Sequence, residues 1–169
     1  MDTITALKTR RSIRQFTGEE IDKDILNICV ECGMFAPSAG NEQPWHFIII
    51  TNRQILEKIP SIHQYAKMMP MASAGILVCF DPSLEKHKQM SCQDCAAATQ
   101  NILLAAHAQG IGSCWLGIYP RRNRMDGFRR MFNIPDDIIP FSLVAIGVSQ
   151  QKKMEADRFN PNRVHQEMW

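Results

Sequence analysis

Apolar side chains recur along this chain with two different periods, and these periods divide it into helical and extended segments. A repeat of three to four residues predicts helices, whereas short apolar runs rich in branched and aromatic residues predict strands. Helices are expected at 2–9, 22–35, 53–59, 88–109 and 121–132, and strands at 45–51, 76–80, 114–119 and 142–148. Helices and strands in this mixed order predict an α+β fold.

Capping and turn residues support these boundaries. Asp22 is suited to cap the second helix, and a loop that begins at Pro37 and contains Gly40 ends it. Gly110 follows the long alanine-rich helix at the position where a C-cap is needed. That helix is the longest predicted element, so we expect it to form the spine of the core.

The composition agrees with a single domain that spans residues 1–169. Hydrophobic residues make up 45% of the chain and charged residues 21%, which is enough apolar surface for one compact core. The segment 150–169 is polar and aperiodic, yet it ends in Trp169. Such a segment is expected to form a C-terminal arm that packs on this subunit or, more specifically, on a partner subunit.

Charge and hydropathy limit the partners that the sequence predicts. The net charge is only +2, which argues against nucleic-acid binding driven by counterion release. The amino-terminal segment lacks the apolar run of a secretory signal, and no later run reaches the roughly 18 residues that cross a membrane. The sequence therefore predicts a cytoplasmic protein without nucleic-acid or membrane partners.

Six cysteines permit two interpretations. Cys29 and Cys32 form one C-x-x-C pair, and Cys92 and Cys95 form another, which is a spacing used by zinc and redox sites. Both pairs lie within predicted helices, where residues three apart share a face and a buried cysteine packs as a small apolar residue. Core packing without a metal is the first interpretation, and a metal or thiol-redox module is the alternative.

A cluster of basic residues follows the first helix. Arg10, Arg11 and Arg14 accompany the hydroxyl of Ser12 within five positions. The planar guanidinium fork binds phosphate oxygens through strong charge-assisted hydrogen bonds, so this spacing suits a phosphate monoester. A solvated basic turn would explain the same residues.

The loop before the first strand is rich in small residues and carboxamides. Its small side chains would let a flat ligand approach the backbone, and Asn41 and Gln43 each offer both a donor and an acceptor. This combination matches the polar edge and hydroxyl chain of a flavin. An ordinary loop of turn residues is the alternative.

Together these segments resemble the nitroreductase family. RRSIRQF (10–16) followed by APSAGNEQPWHF (36–47) is similar to the family's amino-terminal signature. The similarity continues through GIGSCWLG (110–117) to DRFNPNRVHQEMW (157–169), so it extends over essentially the whole chain. The resemblance implies a nitroreductase-like fold with a central, mainly antiparallel sheet flanked by helices. It also implies an intertwined homodimer with FMN bound at the subunit interface.

The resemblance assigns cofactor contacts residue by residue. It implies that Arg10, Ser12 and Arg14 hold the FMN phosphate and ribityl chain and that Arg158 closes the phosphate site. It also implies that the loop reaches the flavin across the interface and that a strand backbone lies against the ring. Trp115 could equally fill the core. The implied FMN-binding residues are Arg10, Arg11, Ser12, Arg14, Pro37, Ser38, Asn41, Gln43, Cys114, Trp115, Leu116, Gly117 and Arg158.

The implied activity is a two-stage oxidoreductase reaction. NADH or NADPH would deliver hydride to flavin N5, and a nitroaromatic, a quinone or a similar small acceptor would then take the electrons. No catalytic residue is expected beyond the flavin, except that Arg14 could stabilise the charge of reduced FMN. An FMN-binding redox or flavin sensor without turnover remains the alternative within the resemblance.

Several polar residues receive no role at this point. Arg163 and His165 lie in the predicted arm, and a surface salt bridge would explain either. A group of arginines in the last predicted helix suits a solvated face, with a cosubstrate phosphate site as the alternative. These arginines are Arg121, Arg122, Arg124, Arg129 and Arg130.

The segment between the first two strands is short compared with larger relatives, which carry a helical excursion over the active site. We therefore expect an open pocket over the flavin, and its substrates cannot be inferred from those relatives. From their position, the residues expected to border it are His63, Gln64, Tyr65, Met68 and Met69.

Overall fold

A four-stranded antiparallel sheet forms the centre of the computed structural model, which describes residues 1–151 and 156–169. The strands are β1 (Trp45–Ile50), β2 (Ala74–Phe80), β3 (Gly112–Gly117) and β4 (Ile139–Gly147). They lie in the order β1-β2-β4-β3, and each neighbouring pair is antiparallel. The predicted α+β architecture with an antiparallel sheet is confirmed.

Five α-helices surround the sheet in the described part of the chain. They are α1 (Thr3–Thr9), α2 (Lys23–Met34), α3 (Arg53–Lys58), α4 (Ser91–Ala108) and α5 (Arg122–Phe132). Side chains of Asp2, Asp22 and Asn52 accept hydrogen bonds from the first turns of α1, α2 and α3. These side chains satisfy backbone donors that would otherwise lack a partner, so the sequence itself determines where the helices begin.

The two faces of the sheet are covered differently. We call the side packed by α2 and α4 the helical face, and the side packed by α3, residues 59–73 and α5 the loop face. Successive strand residues point to opposite sides, so Ile76 and Val78 belong to the helical face whereas Leu77 and Cys79 belong to the loop face. Each face therefore has its own apolar cluster.

Fully buried side chains fill both clusters. Cys29, Cys95, Ala98 and Ile102 lie in the helical-face cluster. Leu56, Ile59, Met69, Phe128 and Leu143 lie in the loop-face cluster. Burial of this apolar surface is the main source of stability for either layer.

Several predicted element boundaries were wrong, and the second strand begins at Ala74, not at 76. The long helix begins at Ser91, not at 88, because Gln89 just before it has a left-handed backbone with φ of 69°. The third strand is Gly112–Gly117, two residues earlier than predicted, because its register follows its pairing with β4. The fourth strand begins at Ile139 and includes Pro140, where a register shift opposite Val78 and Cys79 accommodates the proline.

The chain after α1 runs along the outer edge of β3. The Ile13 N–H donates to the carbonyl of Ser113 at 2.9 Å, and Ser12 and Ser113 form a parallel bridge. Thr17 then donates to Val148 at 3.0 Å. This pairing places the basic cluster of residues 10–14 beside β3.

The carboxyl-terminal residues extend away from the core. Phe159 is 75% exposed and Trp169 is fully exposed, with the rings of His165 and Trp169 stacked 4.5 Å apart. Part of the predicted arm at 150–169 lies outside the described residues, namely 152–155. None of the helices in the described ranges has the length and hydropathy needed to cross a membrane.

Candidate functional site

The basic residues after α1 are gathered at the β3 edge, and Arg158 from the tail joins them. The pKa of Arg10 lies below its ordinary value because its guanidinium is partly buried and because the positive charges of Arg158 and Arg11 are close. A cluster of like charges is unfavourable by itself, and an anion would relieve the repulsion. The structure thus brings together three of the arginines that the sequence linked to a phosphate.

The arginines of this cluster differ in how many of their hydrogen-bond donors are free to bind a ligand. Arg11 donates to the carbonyls of Lys8 and Arg10, at 2.6 and 2.9 Å, so part of its donor capacity is used internally. Neither Arg10 nor Arg158 forms a salt bridge with any residue that the structure describes. Arg10 and Arg158 therefore have more donors available for a ligand than Arg11 has.

The buried thiol of Cys114 lies where the basic segment meets β3. Burial raises the pKa of this thiol, while the positive charge of Arg14, a hydrogen bond with Ser12 and the charge of Arg10 act in the opposite direction. Ser12, Arg14 and Arg10 thus converge on one point of the strand. These residues were predicted to act together.

A cavity of about 560 Å³ opens beside Arg14. Its lining residues come from the basic segment and from the loop face, and they are Arg14, Gln64, Tyr65, Lys67 and Met68. Three residues expected to border the pocket, Gln64, Tyr65 and Met68, do so. His63 and Met69 do not, because both are almost completely buried.

His63 instead fixes the end of β3. Its Nε2 lies 3.0 Å from the carbonyl oxygen of Gly117, and Nη1 of Arg124 donates to the same oxygen at 2.6 Å. Burial lowers the pKa of His63, with Arg124 adding to the effect, so the neutral ring donates through Nε2. These two donors orient the backbone that follows Leu116.

Trp115 points to the opposite side of β3 from Cys114 and Leu116. Its ring lies 6.0 Å from that of Phe141, and it packs against the cluster of the helical face. The geometry of one chain therefore agrees with the packing interpretation of Trp115.

The predicted flavin-contacting loop has an unusual backbone. Gly40, Asn41 and Gln43 have positive φ angles of 52°, 53° and 48°. A Cβ on Gly40 would lie 2.8 Å from Nε2 of His87, whose exposed ring would have to move, and the positive φ itself favours glycine there. Ser38 accepts a hydrogen bond from the Gln43 N–H at 3.0 Å, which closes the loop.

Two buried carboxyl groups attach this loop to its surroundings. Asp94 accepts from the Ala39 N–H at 3.1 Å, and Glu42 accepts from the N–H groups of Lys86 and His87 at 2.7 and 3.1 Å. The remaining oxygen of each carboxyl is buried and has no hydrogen-bond partner among the described residues, and the two acids lie close enough to shift each other's pKa. One proton shared between the two acids explains this arrangement.

The pKa values of the two acids are shifted in opposite directions. Burial raises the pKa of Asp94, and the nearby charge of Glu42 raises it further. Burial would also raise the pKa of Glu42, but its two backbone donors and Asp94 outweigh that effect and lower it. Of the two acids, Asp94 is therefore the one that would hold a shared proton, and Glu42 would be the carboxylate.

The loop and the basic cluster lie at opposite edges of the sheet. The loop leads directly into β1, whereas residues 10–14 lie along β3, and the strand order is β1-β2-β4-β3. Three strand spacings separate the two edges by roughly 14 Å. One chain therefore does not bring Pro37, Ser38, Asn41 and Gln43 to the cavity beside Arg14.

The thiols of the two C-x-x-C pairs are divided between core and surface. Cys29 and Cys95 are fully buried, whereas Cys32 and Cys92 are partly exposed. Burial raises the pKa of Cys29 to about 12 and that of Cys95 still further. Within 1–151 and 156–169, no group of three or more potential ligands could hold a metal ion.

Four functional candidates were missed by the sequence analysis. Lys67 carries no motif, and it is recognised only because the loop face brings it beside Arg14. Glu42 and Asp94 are 52 positions apart, so their pairing is a tertiary contact. Arg124 was one member of an undivided arginine group, although its position seven residues after Gly117 was the available signal.

Comparisons with known proteins identify relatives over the entire chain. The model of the nitroreductase family matches residues 7–68 and 62–148. A protein of Methanothermobacter thermautotrophicus is 46% identical over 169 residues, covering 100% of this chain and 88% of that protein. One from Archaeoglobus fulgidus is 47% identical over 172 residues, covering 99% of both chains. Both are named "Putative NADH dehydrogenase/NAD(P)H nitroreductase".

Solved structures share the same fold. A "Putative NADH Oxidase" from Clostridium acetobutylicum superimposes with a TM-score of 0.94 at 34% identity, covering 97% of this chain and 99% of that one. A "putative nitroreductase in complex with fmn" from Desulfovibrio desulfuricans gives a TM-score of 0.84 at 25% identity, covering 100% and 99%. The predicted nitroreductase-like fold is thereby confirmed.

Proposed function

Because this chain belongs to the nitroreductase family, we propose that it is an FMN-dependent enzyme that oxidises NADH or NADPH and reduces a small acceptor. The names of the archaeal relatives and the FMN complex of the Desulfovibrio protein support this activity. The observation that carries the proposal is the basic cluster at β3: Arg10, Ser12 and Arg14 approach Cys114, and Arg158 lies next to Arg10. Arg14 also lines the cavity of the loop face.

The basic cluster fits the phosphate of FMN. Arg10 and Arg158 lie close together without a carboxylate partner among the described residues, and the Ser12 hydroxyl lies near the same point of β3. A phosphate monoester carries about two negative charges and several strong acceptor oxygens. Bidentate arginine contacts would neutralise those charges, while Arg11 would contribute mainly through its backbone.

The cavity beside Arg14 fits the ring system of the same cofactor. Its walls combine the methionine side chain of Met68 and the ring of Tyr65 with the polar ends of Gln64 and Lys67. The end of β3, fixed by His63 and Arg124, would present the backbone of residues 114–117 to the ring. FMN, when bound, would accept a hydride from NAD(P)H and transfer electrons to the acceptor.

Arg14 would stabilise the negative charge that accumulates on the reduced flavin. Arg14 lines the cavity and is exposed in the single chain, and its positive charge would stabilise the reduced flavin more strongly once the bound ring excludes water. No other residue of the chain is assigned to the chemical step. The acceptor class that we propose is a nitroaromatic, a quinone or a similar small molecule.

A homodimer would complete the site. Pro37, Ser38, Asn41 and Gln43 lie at the opposite edge of the sheet from Arg14, so a second copy would have to supply them. Apolar side chains that this chain leaves exposed support such an assembly, and they include Ile4, Leu7, Phe35, Phe159 and Trp169. In this proposal the chain is one domain, and its arm from residue 150 onwards packs on the partner.

Absorbance spectroscopy of the purified protein tests the enzyme proposal first. We expect two visible flavin bands that bleach when NADH or NADPH is added anaerobically and return when a quinone or nitroaromatic is added. A protein that neither contains nor takes up FMN would contradict the proposal. Tight FMN binding without reduction would favour the redox or flavin sensor instead.

Sedimentation equilibrium tests the assembly independently. We expect a dimer whose formation is lost when Trp169 is removed together with Phe159→Ala, since these exposed rings would be buried by the partner. FMN affinity should fall in the same variant because each site would lose half of its contacts. A monomeric protein with full FMN affinity would contradict the shared site.

A further inference from the structure

The arginines at the beginning of α5 have no part in the proposed flavin site, and the structure separates them into distinct environments. Arg129 pairs with Asp126 at 3.3 Å and lies 3.8 Å from Asp136. Arg121 and Arg124, by contrast, line a cavity of about 700 Å³. The other residues that line it are Pro60, Ser61, Ile62, Gln64, Tyr65 and Asn123.

The lining of this second cavity suits an anion. It contains two guanidinium groups and no carboxylate, and Ser61, Gln64 and Asn123 add neutral hydrogen-bonding groups. The planar fork of arginine makes parallel hydrogen bonds to two oxygens of a carboxylate or a phosphate, and a phosphate group offers the larger negative charge. The backbone N–H groups at the start of α5 add to the positive potential.

Arg124 is held in place before any ligand arrives. Its Nη1 donates to the Gly117 carbonyl at 2.6 Å, and its guanidinium lies 5.5 Å from the centre of the Tyr65 ring. A guanidinium has five N–H donors, so most of them remain available. Arg121 is exposed and makes no salt bridge with any described residue. One fixed and one adaptable arginine thus face the same space.

The second cavity adjoins the cavity beside Arg14. Gln64 and Tyr65 line both of them, so a single elongated molecule could occupy the two together. One end of such a molecule would contact the proposed flavin ring, and the other end would reach Arg121 and Arg124. A nicotinamide dinucleotide is elongated in this way: its reactive ring is at one end, its pyrophosphate is in the middle and its adenosine is at the far end, so its phosphates could reach the arginines while the ring faces the flavin.

We propose that Arg121 and Arg124 bind the phosphate groups of the NADH or NADPH cosubstrate. The inference rests on the proposed function, and it assigns the cosubstrate a binding site beyond the flavin cleft. It also gives a role to two members of an arginine group that otherwise suits a solvated helix face.

Reduction of the FMN-loaded protein by three hydride donors tests this site. NADH and NADPH carry phosphates, whereas 1-benzyl-1,4-dihydronicotinamide carries none. We expect Arg121→Ala to raise the NAD(P)H concentration for half-maximal reduction by about tenfold and to leave reduction by the phosphate-free donor unchanged. Arg121→Lys should recover part of the loss. Arg121 is preferred to Arg124 because it does not contact Gly117.

Arg130→Ala is the matched control. Arg130 lies on the same helix and is exposed, but it does not line the cavity, so this variant removes one charge without removing a proposed contact. Its behaviour should equal that of the wild-type protein. If both Arg121→Ala and Arg130→Ala raise the NAD(P)H concentration for half-maximal reduction equally, the effect comes from the lost net charge and not from a specific contact. That result would overturn the proposal.

Calorimetry with ADP gives a readout that does not depend on catalysis. We expect ADP to bind the FMN-loaded wild-type protein and the Arg130→Ala variant, and to bind Arg121→Ala about tenfold more weakly. If NAD(P)H reduces Arg121→Ala with wild-type concentration dependence, this site is wrong and the proposed function stands. If the FMN-loaded wild-type protein is not reduced at all, both are wrong.

Discussion

The helical face and the loop face of the sheet bury comparable apolar clusters, but they do so with different backbones. On the helical face, α2 and α4 present regular rows of small and branched side chains such as Cys95 and Ile102. On the loop face, residues 59–73 contain short 3-10 turns, and α5 supplies the large ring of Phe128. Both cavities that we associate with ligands open on the loop face.

The difference explains why the two cavities that one chain forms by itself, and that we propose bind ligands, open on one side of the sheet. A long helix uses its backbone groups internally and its inward side chains for packing, so little of it remains to contact a ligand. Irregular segments direct polar side chains such as Gln64 and Lys67 outwards while apolar neighbours such as Met69 remain in the core. The two cavities of the proposed site therefore lie where the backbone is irregular but well packed.

The sharpest test of this comparison is whether the loop face is as firmly folded as the helical face. Phe128→Ala removes a fully buried ring that stacks on Phe132, and we expect it to lower the free energy of unfolding by about 3–5 kcal/mol. Ile102→Ala on the helical face should cost about 2–5 kcal/mol. Urea denaturation measures both.

Both variants should unfold in a single transition if the two faces belong to one cooperative unit. A loss below about 1 kcal/mol for Phe128→Ala would mean that the cavity collapsed or that the ring was loosely packed. In that case the loop face could not serve as a rigid support for the cavities.

The Glu42–Asp94 pair attaches the loop of residues 36–44 to α4, on the helical face. Breaking this pair should lower the stability less than Phe128→Ala does. Asp94→Ala leaves Glu42 and the Ala39 N–H without their partner and should cost about 1–3 kcal/mol. Asp94→Asn keeps an acceptor for Ala39 and a donor for Glu42. It should therefore retain most of the wild-type stability, as denaturation would show.

The same pair predicts a pH dependence. The pKa of Asp94 is raised in the folded protein, so its stabilising contribution is present at low pH and is lost as the pH rises through the folded value. The pKa of Glu42 is lowered, so its contribution is lost as the pH falls through the folded value. Asp94→Asn cannot lose a proton, so its stability should not fall as the pH rises through the folded pKa of Asp94. Identical pH profiles of stability for the variant and the wild-type protein would contradict the shared proton.

Arg14→Ala tests the chemistry of the loop-face cavity. The variant should retain measurable FMN because the phosphate contacts remain, but the reduction potential of the flavin should fall. We expect a fall of about 30 mV, which equals about 1.4 kcal/mol for a two-electron couple. Spectroscopic redox titration measures it, with Arg130→Ala as the control. An unchanged potential would remove Arg14 from the proposed role.

Cys92→Ser should have the smallest effect, because this thiol on the helical face is only partly buried. Under the packing interpretation, stability should change by no more than about 0.5 kcal/mol, and flavin binding should stay normal. The double variant with Cys95→Ser should lose more stability without losing any stoichiometric metal. Zinc or iron found at one equivalent in the wild-type protein would instead support the metal or thiol-redox alternative.

The sequence predicted the helical face better than the loop face for a physical reason. The end of α4 is encoded locally, since Gly110 adopts a φ of 76° and donates to the carbonyl of His107 at 2.9 Å. The 3-10 turns between Ile59 and Met71 have no periodic pattern, and their conformation depends on contacts with α3 and the sheet. Local sequence features such as capping residues therefore determine where the regular helices and strands lie, whereas tertiary packing determines the conformation of the segments that form the cavity walls.

In the candidate site, too, the local arrangements could be predicted from the sequence and the tertiary contacts could not. Arg10, Ser12 and Arg14 are neighbours in sequence, and their common location beside β3 could be anticipated. Their approach to Arg158 followed only from the family resemblance, because nearly 150 positions separate the two segments. Lys67 and the Glu42–Asp94 pair could not be predicted, since neither has a sequence pattern that indicates the contact.

The pairing of Ser12 with Ser113 also protects the sheet from its own exposed edge. An unpaired edge strand presents free N–H and C=O groups that can recruit a strand from another molecule. By bonding to β3, the segment that carries the basic cluster shields that edge, and its arginines add charge that repels a second copy from stacking there. Resistance to aggregation and cofactor binding would therefore depend on the same few residues, so a change that loosens this segment would threaten both.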